Sequence, residues 1–189
     1  EPDSGNVIRT NGIRISYLPQ IPEFEPHGSV LEQVMLHLPA DLKEAKTFEA
    51  KSILGKLGIT DETRDISTLS GGEKRRAGIA AALIQPSDVL LLDEPTNHID
   101  NETVRLLEEQ PLKYRGAIVM VTHDRYFLNR ITRKIVEVDR GKIFEYEGNY
   151  STYLEQKAQR EVDAEAKERK NRSLYRQELE WIRRGVRAR

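Results

Sequence analysis

The sequence predicts an α/β domain with a mainly parallel sheet, followed by a long helical arm. Strand-like and helical segments alternate between residues 13 and 146, which is typical of a parallel sheet covered by helices. The run "VLLLDE" at 89–94 is uninterrupted and ends in two acids, as expected of a strand buried on both faces. After "GNYSTYL" the sequence becomes strongly polar, which predicts a solvent-exposed helix or half of a coiled coil.

Length and composition limit the kinds of protein this can be. The 189 residues are enough for one core and an appendage, and there is no cysteine for a disulfide or a thiolate metal site. The 4 histidines have no paired ligand spacing. No apolar run approaches the roughly 18 residues of a membrane span, so we expect a soluble, cytoplasmic protein. The opening "EPDSG" is polar and lacks methionine, and we expect the chain to begin partway through a longer polypeptide.

The first half of the chain is predicted to contain one strand and a helical subdomain. "IRISYLPQ" at 13–20 alternates apolar and polar residues and ends at a proline, which predicts a strand leaving the sheet. From about 23 to 84, apolar residues recur at helical spacing with interruptions at Pro39 and Gly58, which predicts a small helical subdomain. Its last helix is expected at 71–84, because Pro86 stops the chain soon afterwards.

The second half continues the alternation and then changes character. A strand at 89–94 is followed by a helix from about 101 to 110, a strand at 117–121 and a short helix from Arg125. We expect two edge strands near 134–138 and 142–146, so that residues 1–150 form the domain and 151–189 a basic helical linker. Within the linker an apolar stripe at helical spacing comprises Tyr175, Leu179, Ile182 and Val186.

The stretch "LSGGEKRRAG" at 69–78 predicts a helix start that can hold a phosphate. Ser70 and Glu73 form a capping box, so the helix is already capped when two glycines occupy its first positions. Gly71 and Gly72 each cost about 1 kcal/mol of helix stability relative to alanine. Their benefit would be a bare helix N-terminus that a bulky anion can approach. A plain capped turn is the alternative.

Titratable side chains follow two of the predicted strands. Asp93 and Glu94 end one strand and His123 follows another, and the carboxyl ends of parallel strands meet at one edge of the sheet. Asp93 suits Mg²⁺ beside nucleotide phosphates, and Glu94 suits a general base for the attacking water. A capped acidic turn and a structural histidine are the alternatives at these positions.

The end of the chain is basic. Residues 156–189 carry 11 Lys and Arg against 6 Asp and Glu, although the whole chain has a formal charge of -1. Arginine beside an aromatic ring suits RNA phosphates and unstacked bases. The alternative is a solvated helix face. The predicted RNA-binding residues are Trp181, Arg183, Arg184, Arg187 and Arg189.

Four motifs in this order resemble those of the ATP-binding cassette ATPases. "YLPQ", "LSGGEKRR", "LLLDEPTNHID" and "VTHDRYFLNR" look like the Q-loop, the signature, the Walker B motif with its D-loop, and the switch histidine. The wording "DEPTNHID", the segment "GKIFEYEGNYSTYL" and the ending "ELEWIRRGVRAR" resemble the ABC-F subfamily and its Uup-like branch. That branch joins two cassettes by a helical linker, has no transmembrane domain and works on the ribosome. The resemblance identifies this chain as a first cassette and the start of the linker.

The resemblance implies ATP and Mg²⁺ as cofactors and a role for each matching residue. Gln20 would sense Mg²⁺ and the attacking water, Asp93 would hold Mg²⁺, Glu94 would catalyse hydrolysis and His123 would contact the γ-phosphate. Ser70, Gly71 and Gly72 would contact an ATP held mainly by the second cassette, and Asp100 would lie at the cassette interface. The implied partners are that second cassette and the ribosome, through rRNA or tRNA.

One departure from the family pattern is large. No GxxxxGK[ST] motif occurs, and "ILGKLG" at 53–58, the segment most like it, lacks the upstream glycine and the hydroxyl residue. The expected fold is therefore a partial P-loop NTPase core with a helical subdomain and a long C-terminal helical linker. We expect these residues alone to be inactive as an ATPase. The alternatives are the nucleotide-binding subunit of a membrane transporter and a non-hydrolytic interaction module.

Overall fold

The computed structural model describes residues 3–97 and 99–185, with the side chains of 110–113 left undescribed. The chain divides into two compact units, Glu1–Phe127 and Leu128–Arg189. The predicted boundary after residue 150 follows the family organisation and stays a prediction. The predicted elements are all present within the described residues, and several differ from expectation by a few residues at their ends.

The first unit contains a three-stranded parallel sheet. Its strands are β1 (Ile15–Leu18), β2 (Val89–Asp93) and β3 (Ala117–Val121), in the order β1-β2-β3. The register pairs Leu18 with Leu92 and Asp93 with Val121, so that the three strands end at the same edge. β1 is shorter than predicted, because the chain leaves the sheet before Pro19.

The first unit also contains several helices. They are α1 (Val30–Val34), α2 (Ala40–Lys56), α3 (Gly71–Ile84), α4 (Asn101–Lys113) and the start of α5 (Arg125–Ile131). α3 contacts β1, α1 and α2, and the hydroxyl of Ser16 donates to the carbonyl of Ala82 at 2.9 Å in the core. Gly78 permits this packing, because a Cβ there would lie 2.5 Å from Cγ of Pro22. A short 3₁₀ turn (Ile66–Thr68) leads into α3.

The second unit consists of the end of α5, an antiparallel hairpin and a long helix. β4 (Lys134–Asp139) pairs with β5 (Lys142–Glu147), and α6 extends over Tyr150–Gly185. α6 begins at Tyr150, one residue before the predicted helical segment, and it packs on β5. No residue among the described part of α6 is buried, which confirms a long, polar C-terminal helix. Its role as a linker stays a prediction.

Candidate nucleotide site at the carboxyl edge of the sheet

The described structure brings two predicted catalytic side chains together at the ends of β2 and β3. Nε2 of His123 lies 3.3 Å from Oε1 of Glu94, and the backbone amide of His123 donates to Oε2 of the same carboxylate at 3.3 Å. The His123 side chain is 96% exposed, whereas that of Glu94 is 8% exposed. A carboxylate in this position can accept a proton from water, and the imidazole beside it can donate to an anion.

Glu94 has an unusual backbone conformation. Its φ is +47°, which is uncommon for a residue with a side chain and costs on the order of 1–3 kcal/mol. Its amide donates to the carbonyl of Val121 at 2.7 Å, so the end of β3 holds the turn in place. The following Pro95 is fully buried. The carboxylate is therefore aimed by a constrained turn.

Asp93 supplies the second carboxylate of the edge. It is half-buried, and the hydroxyl of Tyr17 on β1 donates to its Oδ2 at 3.5 Å. No group of three or more His, Cys, Asp or Glu side chains with a metal-binding arrangement occurs in the described part of the chain. Mg²⁺ is commonly held by one or two carboxylates together with phosphate oxygens and water, and Asp93 fits that requirement.

The start of α3 confirms the predicted capping box. The Ser70 amide and hydroxyl both donate to Oε2 of Glu73 at 2.8 Å, and the Glu73 amide donates to the Ser70 oxygen at 3.3 Å. The backbone and hydroxyl hydrogen bonds from Ser70, with help from Arg64, lower the pKa of Glu73 to about 2. A Cβ at Gly71 would meet only open space, so the helix N-terminus is accessible from outside. Gly72 is half-buried.

The sequence patterns did not predict a role for Arg75. The residue is 4% exposed, and its side chain donates to backbone carbonyls after β1 and at the end of β2: those of Pro19, Gln20, Asp93 and Glu94. Burial lowers the pKa of Arg75, and the carboxylates of Asp93 and Glu94 oppose that shift. Its helical spacing from the buried Ile79 and Ala82 was the available signal, since a cation on the inner face of a helix needs a partner.

The other predicted site residues take different positions. Gln20 is exposed, and its backbone carbonyl, at 2.7 Å from Nη1 of Arg75, ties it to the site. Asp100 accepts the Thr103 amide at 2.8 Å, capping α4, and lies 3.4 Å from Nη1 of Arg76. Its backbone hydrogen bond with Thr103 chiefly lowers the pKa of Asp100. The roles of Gln20 and Asp100 toward a nucleotide stay predictions.

The predicted RNA-binding residues lie in the second unit. Trp181 is 77% exposed, and Arg183 and Arg184 are exposed on the last described turns of α6. Arg187 and Arg189, like Val186 of the predicted stripe, lie outside the described residues.

Comparison with known protein families decides the kind of protein. Residues 2–97 match the family model described as ABC transporter, and residues 136–189 match a second model of the same description. The chain belongs to the ABC transporter family. It is thus a member of the ATP-binding cassette group, as its motifs predicted. The described residues contain no helix long and apolar enough to cross a membrane.

Curated relatives of this cassette chain include proteins of the ABC-F kind. It is 39% identical to the uncharacterized ABC transporter ATP-binding protein YfmR of Bacillus subtilis, over 99% of this chain and 36% of that protein. It is 50% identical to the energy-dependent translational throttle protein EttA of Mycobacterium tuberculosis, over 66% of this chain and 22% of the relative. The chain thus spans little more than a third of the length of the first relative and about a fifth of the second.

Solved structures confirm the cassette fold. The archaeal ribosome recycling factor aABCE1, solved with the ribosomal stalk protein aP1, superposes with a TM-score of 0.60 at 27% identity, covering 77% of this chain and 28% of that one. The cassette MJ0796, in a dimeric post-hydrolysis state bound to ADP and Pi, gives 0.59 at 23% identity over 71% and 63% of the two chains. The predicted mixed α/β cassette with a long C-terminal helix is confirmed.

Proposed function

We propose that this chain is part of the first cassette of an ABC-F ATPase of the Uup-like branch, together with the start of its linker. In this proposal the complete protein hydrolyses ATP bound between two cassettes and acts on the ribosome. The arrangement that carries the proposal is the contact of Glu94 with His123, beside Asp93, at the edge where the three strands end.

Each side chain of this edge has a role that its surroundings support. Glu94 polarises the attacking water, because its buried carboxylate is held in one orientation by the amide of His123. His123 contacts the γ-phosphate through its exposed ring, and Asp93 holds Mg²⁺. Gln20 senses the metal and the water from the loop after β1. Phosphoryl transfer depends mainly on such positioning and on charge around the γ-phosphate.

The start of α3 faces a nucleotide held mainly by the other cassette. The open space at Gly71 and the free amides of a helix N-terminus support this assignment, since they allow a phosphate to approach the backbone. Gly72 lies in the same turn, and Ser70 presents its hydroxyl at the cap. Asp100, the proposed D-loop residue, caps α4 and lies 3.4 Å from Nη1 of Arg76 on α3, and this contact supports a D-loop beside the signature helix.

Two observations support the ribosome as the proposed partner. The relatives include a translational throttle protein and a ribosome recycling factor, as their names state. In addition, Trp181 and the arginines beside it are exposed at the end of a helix that buries no described residue. An exposed aromatic ring with neighbouring arginines suits RNA.

Glu94→Gln in the complete two-cassette protein tests the hydrolytic part. ATP binding should persist because Asp93 holds the metal, while turnover slows by roughly 10²- to 10⁴-fold, the usual contribution of a positioned acid or base. The counterpart glutamate of the second cassette is inactivated in both proteins, and Glu49→Gln on the exposed face of α2 is the matched control. Turnover of the Glu94 variant close to that of the control would contradict the assignment.

Absence of turnover in the complete wild-type protein would instead favour the non-hydrolytic interaction module. Membrane permeases that purify together with the protein would favour a transporter subunit.

Salt-dependent RNA binding tests the ribosomal part. Replacing Arg183, Arg184, Arg187 and Arg189 by alanine should weaken binding of the complete protein to ribosomes. The slope of the logarithm of the binding constant against the logarithm of the salt concentration should become shallower by up to about 3, because fewer counterions are displaced. The charge-matched control replaces four cations earlier on α6: Lys167, Arg169, Lys170 and Arg172. Unchanged binding by the first variant would exclude this tail from the RNA interface.

A further inference from the structure

Arg75 is a buried cation that the proposed chemistry does not use. It lies on the inner face of α3, and its guanidinium reaches two loops that leave the sheet at the carboxyl edge. Nη1 donates to the carbonyls of Pro19 and Gln20, the latter at 2.7 Å. Nη2 donates to the carbonyls of Asp93 and Glu94 at 2.8 and 2.7 Å.

These four bonds connect parts of the chain that the sheet itself no longer connects. The β1–β2 ladder ends with the pair Leu18 and Leu92, one residue before the carbonyls that Arg75 engages. Beyond that pair, Gln20 and Glu94 are tied to each other through the two nitrogens of one planar group. A guanidinium is suited to this because its donors diverge in a fixed plane, whereas an ammonium is a compact point charge.

The bond to Glu94 acts on the constrained turn described above. The Glu94 amide is held from β3 by the carbonyl of Val121, and the Glu94 carbonyl is held from α3 by Arg75. The residue with φ +47° is therefore fixed on both sides of its Cα, from two different elements. Strained residues persist only where the surrounding structure holds them in this way.

We propose that Arg75 is a positioning residue, which locks the Q-loop to the turn of Glu94 and so sets the direction of the catalytic carboxylate. This inference rests on the proposed function, because it takes Glu94 as the general base. All four hydrogen bonds of the Arg75 side chain within the described part of the chain go to backbone carbonyls. Its action is geometric, and it depends on the fork of the guanidinium as well as on the positive charge.

The test uses Arg75→Lys and Arg75→Met in the complete protein. Lysine keeps the charge and loses the fork, and methionine loses both. Arg14→Lys is the matched control, since Arg14 pairs with Asp88 at the opposite end of β1 and β2 and its side chain is 60% exposed. Two measurements are made: amide hydrogen exchange of residues 19–22 and 93–96, and kcat and KM for ATP.

We expect faster exchange in both segments for both Arg75 variants and no change for the control. We also expect kcat to fall about 10- to 100-fold, because a misplaced catalytic group loses its near-attack geometry. KM for ATP should stay within about threefold, since the metal and phosphate contacts remain.

Other outcomes overturn the inference. Unchanged exchange in Arg75→Lys would refute the lock, and kcat near wild type in that variant would reduce Arg75 to a charge effect. Loss of ATP binding in parallel with kcat in both variants would assign Arg75 to folding. A wild-type protein without turnover would refute the proposed function and, with it, any effect of Arg75 on catalysis. The hydrogen-exchange data would still decide whether Arg75 holds the two segments together.

Discussion

At the scale of single residues, the start of α3 shows how a cap controls ionisation. Glu73 accepts hydrogen bonds from the amide and hydroxyl of Ser70, and Arg64 lies 3.0 Å from its other oxygen. These contacts favour the charged carboxylate, and they lower its pKa from 4.5 to about 2. The signature helix is therefore stabilised by an anion that stays charged at any physiological pH.

This cap predicts a pH dependence of stability. Since the folded-state pKa is depressed, the stabilisation by Glu73 is fully present above pH 4.5 and is lost as the pH falls through the range between 4.5 and about 2. Glu73→Gln keeps the capping geometry and cannot titrate. We expect the free energy of unfolding of this variant to depend less steeply on pH than that of wild type.

Urea unfolding of the 189-residue chain between about pH 2.5 and 7 measures the effect. Glu49→Gln, an exposed glutamate on α2, serves as the control and should follow the wild-type curve. Parallel curves for Glu73→Gln and wild type over the acid range would contradict the assignment.

At the scale of elements, α6 is anchored to the hairpin through one carboxylate. Glu137 on β4 accepts from Lys157, from the hydroxyl of Tyr146 at 3.0 Å and from that of Tyr153 at 3.2 Å. Burial raises the pKa of Glu137, but the hydrogen bonds from Lys157 and the tyrosines outweigh it, and the pKa stays below the ordinary value. Arg160 adds an ion pair at 3.2 Å and stacks on the ring of Phe144.

Glu137→Ala should loosen the start of α6. Removing the carboxylate leaves two cations and two hydroxyls without their shared acceptor, and the local free energy of opening should fall by about 1–3 kcal/mol. Amide hydrogen exchange over residues 150–160 measures this local free energy of opening. Glu145→Ala on the neighbouring strand is the control, because Glu145 is 61% exposed beside Lys134 and should change stability by less than about 0.5 kcal/mol. Equal exchange in both variants would mean that Glu137 is not the anchor.

At the scale of the whole molecule, the sheet has one covered and one open face. Ser16, Leu18, Leu90 and Leu92 point to the face that is buried. The opposite face exposes apolar side chains of both edge strands: Ile15, Tyr17, Val119 and Val121. Parallel sheets are normally covered on both faces, which fits the proposal that further cassette segments complete this one.

The 189 residues alone should therefore release no phosphate from ATP. They lack the glycine-rich loop and lysine that cradle the β- and γ-phosphates, and two carboxylates at the edge would repel a polyanion. Affinity for Mg-ATP should be no better than about millimolar. Phosphate release from the purified chain is compared with that of its Glu94→Gln variant. Sustained turnover that the variant abolishes would refute this prediction.

In contrast to the 189 residues, a complete protein that contains the phosphate-binding loop should bind ATP tightly. Ser70→Arg in that protein should block closure and hydrolysis while initial binding persists, because the bulky cation fills the open helix start. Tight binding of ATP by the 189 residues themselves would show that another part of this chain binds the phosphates.

The sequence by itself determined the elements and the cassette family, and it named Glu94 and His123, which the structure brings into contact. Local rules suffice for the Ser70 cap, for the apolar run of β2 and for the order of the motifs, since each depends on neighbours within a few residues. Only the tertiary structure revealed the contacts of Arg75 and Glu137. Their partners lie on elements that are distant in the chain. Burying a charge is costly unless hydrogen-bond or ion-pair partners compensate its desolvation, and these partners are known only from the tertiary structure. The left-handed turn at Glu94 was decided in the same way, by a hydrogen bond from β3 and another from α3.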